Sequence, residues 1–137
     1  MTDTADELLK IAKKLIKKRF TREHQGRYYV VTAAALKTTK GDIYSAINTR
    51  TYQPDLSTCA EIIAIGMAHA ENPKMDIDTI VTVRGPDGYV VSPCGRCREY
   101  ISDYSTNADV AVSAQNKKGY TLVKAKDLLP CKYVKHD

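Results

Sequence analysis

Two short segments of the 137-residue chain hold residue types that can chelate a metal and move protons. One is Cys59-Ala60-Glu61; the other, further along, is Pro93-Cys94-Gly95-Arg96-Cys97. A C-x-x-C pair at the start of a helix projects both sulfurs from one turn, and the unpaired N–H groups there favour the thiolate form. Cys59, ahead of another helix, adds a third sulfur. Three protein ligands leave one tetrahedral position for water, which is the arrangement of a catalytic zinc site rather than a structural one. Glu61 stands two residues past a ligand on a largely apolar helix, where a carboxylate is costly unless it has a task. Beside an activated water it can accept a proton and pass it on. The competing reading, an ion pair from Glu61 to Arg96 or Arg98, stays open at this level.

A lone C-x-x-C would equally suit a redox pair. Joined to C-x-E, in this order and on two successive helices, it becomes the pattern of zinc deaminases with Cys in place of the first His. Three thiolates carry net negative charge, which makes a bound water less acidic. Arg96 and Arg98, flanking Cys97, are expected to offset that charge; ordinary surface charge is the alternative.

The elements that must position these residues follow from patterning. Asp3 or Thr4 caps a first helix to about Arg19, with Leu8, Leu9, Ile11, Ala12, Leu15 and Ile16 forming an apolar face. Tyr28 to Lys37 reads as a buried strand, and Ile43 to Ile47 returns after a Lys40-Gly41-Asp42 turn. A second helix begins after Ser57 or Thr58 and stops at Asn72-Pro73. Ile62, Ile63, Ile65, Gly66, Met67 and Ala70 make it apolar nearly all round, so full burial is expected. Ile77 to Val83 is a strand, and Cys94 to Tyr104 a third helix. Val110 to Ser113 and Thr121 to Val123 are short strands around a Lys117-Lys118-Gly119 turn, and Ala125 to Leu129 forms a last helical turn. The order predicts a three-layer α/β/α domain over residues 1–137, its mixed sheet containing parallel pairs joined by right-handed crossovers.

Composition bounds the rest. A 43% apolar content supports one core, and no apolar stretch is long enough to cross a bilayer. Acids at Asp3, Asp6 and Glu7 stand where a secretory leader needs a basic start, so a cytoplasmic protein without a membrane partner is expected. The net charge of +5 concentrates on the first helix (Lys10, Lys13, Lys14, Lys17, Lys18, Arg19) and the tail. A solvated basic face is the simple reading, and nucleic acid is not expected as the partner.

The chain resembles the cytidine deaminase family, and more closely its blasticidin-S deaminase branch. The likeness runs from Val31-Thr32-Ala33-Ala34-Ala35-Leu36 through Ser45-Ala46-Ile47-Asn48, Cys59-Ala60-Glu61-Ile62-Ile63-Ala64-Ile65-Gly66 and Val91-Ser92-Pro93-Cys94-Gly95-Arg96-Cys97-Arg98-Glu99, and it ends near Pro130. It implies a five-stranded sheet, a zinc cofactor, a homotetramer with sites near subunit interfaces, and hydrolytic deamination at C4 of a cytosine nucleoside or analogue. It also implies that Asn48 contacts the sugar, and that the backbone around Ala60 and Pro93 holds the pyrimidine edge. Three departures bear on the substrate. Arg50 stands where cytidine deaminases usually carry a ribose-gripping glutamate. Ile62 replaces the usual arginine after the catalytic glutamate, as in the blasticidin-S branch, and Glu99 replaces a glutamine. An arginine at position 50 suits a carboxylate or phosphate, as on the sugar of blasticidin S.

His24, His69 and His136 read as packed or surface residues, and Cys131 as an ordinary thiol. Tyr28, Tyr29, Tyr52 and Tyr133 are plausible pocket walls.

Overall fold

Asp3 opens the first helix by accepting the Ala5 N–H at 3.2 Å, and Asp6 and Glu7 in the first turn complement the helix dipole. This helix, α1 (Thr4–Ile16), buries Ala5, Leu8, Ala12 and Ile16 at three- and four-residue spacing. The structure is a computed structural model describing residues 3–17, 21–24 and 27–136. The expected continuation of α1 through Lys18 and Arg19, and the loop at Gly26, lie outside the described residues.

The expected single strand from Tyr28 to Lys37 is two strands in two sheets. β1 (Thr21–His24) and β2 (Arg27–Val30) pair antiparallel as a separate ribbon, while β3 (Thr32–Thr38) enters the main sheet. The switch falls at Val31, whose side chain is fully buried and whose carbonyl accepts the Gly85 N–H at 2.9 Å. A continuous apolar run looks the same whether or not the chain changes partners within it.

β3 turns into β4 (Ile43–Ile47) through Gly41, whose φ of 95° demands glycine. With β5 (Ile77–Arg84), β6 (Asp109–Ser113) and β7 (Tyr120–Lys124), the main sheet runs β4-β3-β5-β6-β7. It is the expected five-stranded mixed sheet, with one parallel pair, β5 to β6. β4 and β5 also point the same way, but β3 lies between them, antiparallel to each.

Pleating sends alternate residues to opposite faces. On one face Leu8, Ala12 and Ile16 of α1 pack against Ala33, Ala35, Val81 and Val83. On the other, α2 (Ala60–Glu71) and α3 (Gly95–Tyr104) bury Ala64, Ile65 and Ile101 against Leu36, Ile80 and Val110. Burying each large side chain contributes about 1.5–3 kcal/mol, which locks both helices to one sheet. The expectation that α2 is buried all round is corrected. Gly66, Met67 and Ala70 are exposed, Met67 at 45%, because the sheet and α3 cover only one side of the helix. The last helical turn is a 3-10 turn over Ala125–Asp127.

Candidate metal centre and active site

The cysteines sit where their helices begin. Cys59 is the N-cap of α2 and Cys94 the N-cap of α3, and neither side chain caps its own helix. Cys97, one turn into α3, is fully buried. The three Sγ atoms lie within 4.8 Å of one another, and Cys59 and Cys94 are 3.9 Å apart at sulfur. Zinc–sulfur bonds of about 2.3 Å at the tetrahedral angle require sulfurs about 3.8 Å apart, so the donor spacing fits. Soft thiolates favour the same metal. Among the described residues no fourth His, Cys, Asp or Glu joins the cluster.

Burial dominates the electrostatics. It pushes the Cys59 thiol up and drives the Cys97 thiol far up, the Glu61 carboxylate beside Cys97 adding to the shift. Burial acts on Cys94 in the same sense, but hydrogen bonds from the Cys97 backbone and side chain and from Cys59 bring its thiol below the ordinary range. Glu61 is 5% exposed, and desolvation raises it above the usual carboxylate range. Its own backbone N–H, the Cys97 thiol and the Thr82 hydroxyl oppose that shift. A metal bound here displaces thiol protons, so occupancy is coupled to pH.

Cys59, Cys94 and Glu61 line a cavity of about 290 Å³ whose other walls include Asn48, Arg50, Thr82 and Ser92. Asn48 is held firmly. Its Oδ1 accepts the Thr32 N–H at 3.0 Å, and its own N–H donates to the Thr32 carbonyl at 3.2 Å. A larger cavity of about 480 Å³ lies across the Val91-Ser92 wall, between α1 and the β6–β7 turn; no thiol or carboxylate lines it.

Six of the sequence-predicted residues (Asn48, Arg50, Cys59, Glu61, Cys94, Cys97) thus converge on one place. Ala60 and Pro93 are buried and do not line the cavity. Arg96 donates to the Ser57 carbonyl at 3.2 Å. Arg98 donates to the carbonyls of Pro93 at 2.9 Å and Leu128 at 3.2 Å. These contacts brace the loops around the cluster, and neither arginine pairs with Glu61. Glu99 instead faces Lys132, 3.8 Å away. His69 is exposed with its ring edge-on to Tyr104, and Cys131 is exposed and outside the cluster. Tyr52 and Tyr133 are 77% and 78% exposed and do not line the cavity. Thr82 was missed in the sequence. Its only signal there is a hydroxyl among the apolar residues of a buried strand.

Scaffold and site together define the class of the protein, a zinc-dependent deaminase. A family model described as the cytidine and deoxycytidylate deaminase zinc-binding region matches residues 2–114. Blasticidin-S deaminase from Bacillus cereus is 41% identical over 110 residues, covering 75% of this chain and 76% of that protein. Cytidine deaminase from Mycobacterium tuberculosis shares the fold at a TM-score of 0.75 and 20% identity, over 97% of this chain and 99% of the other. The enzyme from Bacillus anthracis does so at 0.76 and 22%, over 96% and 90%. The chain belongs to the cytidine and deoxycytidylate deaminase family.

Proposed function

We propose that this enzyme hydrolytically removes the ring amino group of blasticidin S or a closely related cytosine nucleoside. The observation that carries this reading is Arg50, a cation beside Asn48 on the wall of the cavity that holds Glu61. An arginine there suits a sugar bearing a carboxylate. The identity to the Bacillus cereus enzyme supports the same substrate class.

Cys59, Cys94 and Cys97 would hold zinc, which when bound would supply Lewis acidity and make a water reactive near neutral pH. Glu61 would carry a proton to ring N3 and then to the departing amino group, which leaves as ammonia. Its burial excludes competing solvent. Asn48, with its orientation set by Thr32, meets the sugar. Arg96 and Arg98 support the thiolates by bracing the backbone around them.

The basic helix α1 packs on the sheet face opposite α2 and α3, so its lysines and the thiol cluster lie on different sides. That arrangement supports a small substrate over a nucleic-acid strand. A homotetramer is supported by the apolar outer side of α2, with Tyr100 and Tyr104 of α3 also partly open. Sharing of one sheet by both cores supports a single working domain over residues 1–137. Among the described residues no helix is long and apolar enough to cross a membrane, and a site that needs free thiols suits the reducing cytoplasm.

An ultraviolet assay of the purified enzyme on blasticidin S, cytidine and deoxycytidine side by side tests the substrate. Higher kcat/KM on blasticidin S is expected. A preference for either plain nucleoside would replace this reading with pyrimidine salvage. Light scattering of the same preparation tests the tetramer.

A further inference from the structure

At about 480 Å³ the cavity on the α1 side is larger than the one that holds Glu61. It falls within the range of about 300–1,000 Å³ usual for small-molecule sites. Its lining includes Arg84, where β5 ends, and Ser113, where β6 ends, so it sits at the carboxyl edge of the parallel pair. Open α/β sheets take their ligands at that edge. Val91 and Ser92 line both cavities, so the two share a wall.

Three cations from three parts of the chain line the larger cavity: Lys13 of α1, Arg84 of β5 and Lys118 of the β6–β7 turn. No acid lines it among the described residues. Asp87 pairs with Arg84 at 3.1 Å, and Asp6 and Asp3 with Lys118 at 3.4 and 3.7 Å. These are exposed pairs of little strength, which an anion in the cavity can replace or bridge. Lys13 has no ion-pair partner among the described residues. Its stem lies along Gly88, where an added Cβ would come within 3.4 Å of its Cγ. The turn carrying Lys118 is fixed by the Gly119 N–H, which donates to Asn116 Oδ1 at 2.8 Å.

Tyr89 adds a flat apolar surface to the lining. Its N–H donates to Asp87 Oδ1 at 3.0 Å and its carbonyl accepts the Arg84 N–H at 3.0 Å, so its backbone is held while 66% of the residue stays exposed. An exposed aromatic ring beside cations is a stacking surface for another ring. Three cations without an acid in the lining suit a phosphate monoester, with a charge of about −1.5 to −2, better than a single carboxylate.

We propose that this cavity is a second, non-catalytic site for a phosphate monoester carried on a flat ring, the phosphate meeting Lys13, Arg84 and Lys118 and the ring meeting Tyr89. It lies with α1 on the sheet face away from α2 and α3, so assembly through the outer side of α2 leaves it open. The inference does not depend on which substrate the catalytic cavity takes.

Isothermal titration of the full-length zinc-loaded enzyme with adenosine 5′-monophosphate, in salt of about 0.15 M, tests it. Saturable binding with a Kd of about 1 mM or tighter is expected. Adenosine, which lacks the charge, and ribose 5-phosphate, which lacks the ring, should each bind about tenfold or more weakly. Lys13→Ala and Lys118→Ala should each weaken the nucleotide about fivefold or more, while Lys13→Arg stays within about threefold. The deaminated product of the enzyme's own substrate, added at saturation, should leave the Kd within about twofold, because it occupies the other cavity. Absence of saturable binding up to about 10 mM overturns the proposal. So does equal affinity for adenosine or for ribose 5-phosphate, or an unchanged Kd in either alanine variant. Displacement by the product also overturns it, since the nucleotide would then sit in the catalytic cavity.

Discussion

The sulfurs of Cys59 and Cys94 lie 3.9 Å apart although the two residues are 35 positions apart in the chain. Each caps a different helix, and both helices rest on the same face of the sheet. The thiol cluster is therefore a joint between α2 and α3, so a metal held there would also brace the packing of the two helices.

Cys94→Ala should strip the site of zinc and lower the melting temperature, since two thiolates cannot replace three and the metal's binding energy contributes to folding. Elemental analysis checks it; a full complement of zinc in the variant would contradict the ligand assignment.

Glu61→Gln preserves side-chain volume and leaves all three sulfurs in place. It should retain zinc and lose about 100-fold or more in kcat, the range expected when a positioned acid–base group is removed. Steady-state kinetics beside metal analysis separates the two effects.

Arg50→Ala removes the cation from the cavity wall. KM should rise about tenfold for a substrate whose sugar bears a carboxylate, and much less for cytidine. An equal rise for both would mean that Arg50 serves the shape of the cavity rather than recognition of an anion.

Arg98→Ala unties two carbonyls, Pro93 beside the ligand pair and Leu128 near the tail. Hydrogen bonds from a charged donor are worth about 1–3 kcal/mol each, so stability should fall by about that amount or somewhat more. Urea denaturation measures it. Unchanged stability would show that the carbonyls find water instead.

Asp6 of α1 accepts from the Tyr120 hydroxyl of β7, and that bond, more than the nearby Lys118, holds its carboxyl below the ordinary value. A depressed folded value means that the stabilisation is present above the unfolded pKa of about 3.9 and is lost as pH falls through the folded value. Tyr120→Phe should therefore flatten the loss of stability between about pH 5 and pH 2. Denaturation midpoints across that window check it, and an unchanged acid limb would assign the shift to Lys118.

The helix starts at residues 60 and 95 were legible because capping is local and each motif stands at its own helix boundary. The β3–β4 turn was legible for the same reason, with Gly41 supplying the required φ. The break at Val31 was not legible, because strand pairing with β1 or with β5 leaves the same apolar run in the chain. Exposure of Met67 was equally hidden, since an apolar helix carries no mark of which side its neighbours leave open.

By itself the sequence offered three thiols that could hold a metal and a carboxylate that could move protons, while Arg50 stood out only against the family the chain resembles. The residue types and the spacing inside each short motif can be read without long-range folding, although the meeting of Cys59 with Cys94, 35 positions on, cannot. Only the tertiary structure decided that Thr82 lines the same cavity as Glu61, that Asn48 is clamped by Thr32, and that Arg96 and Arg98 turn to backbone carbonyls. Each of those contacts depends on strand register or on how a helix is seated on the sheet. Register and seating are set by packing between segments far apart in the chain, and a one-residue slip would turn Thr82 to the opposite face.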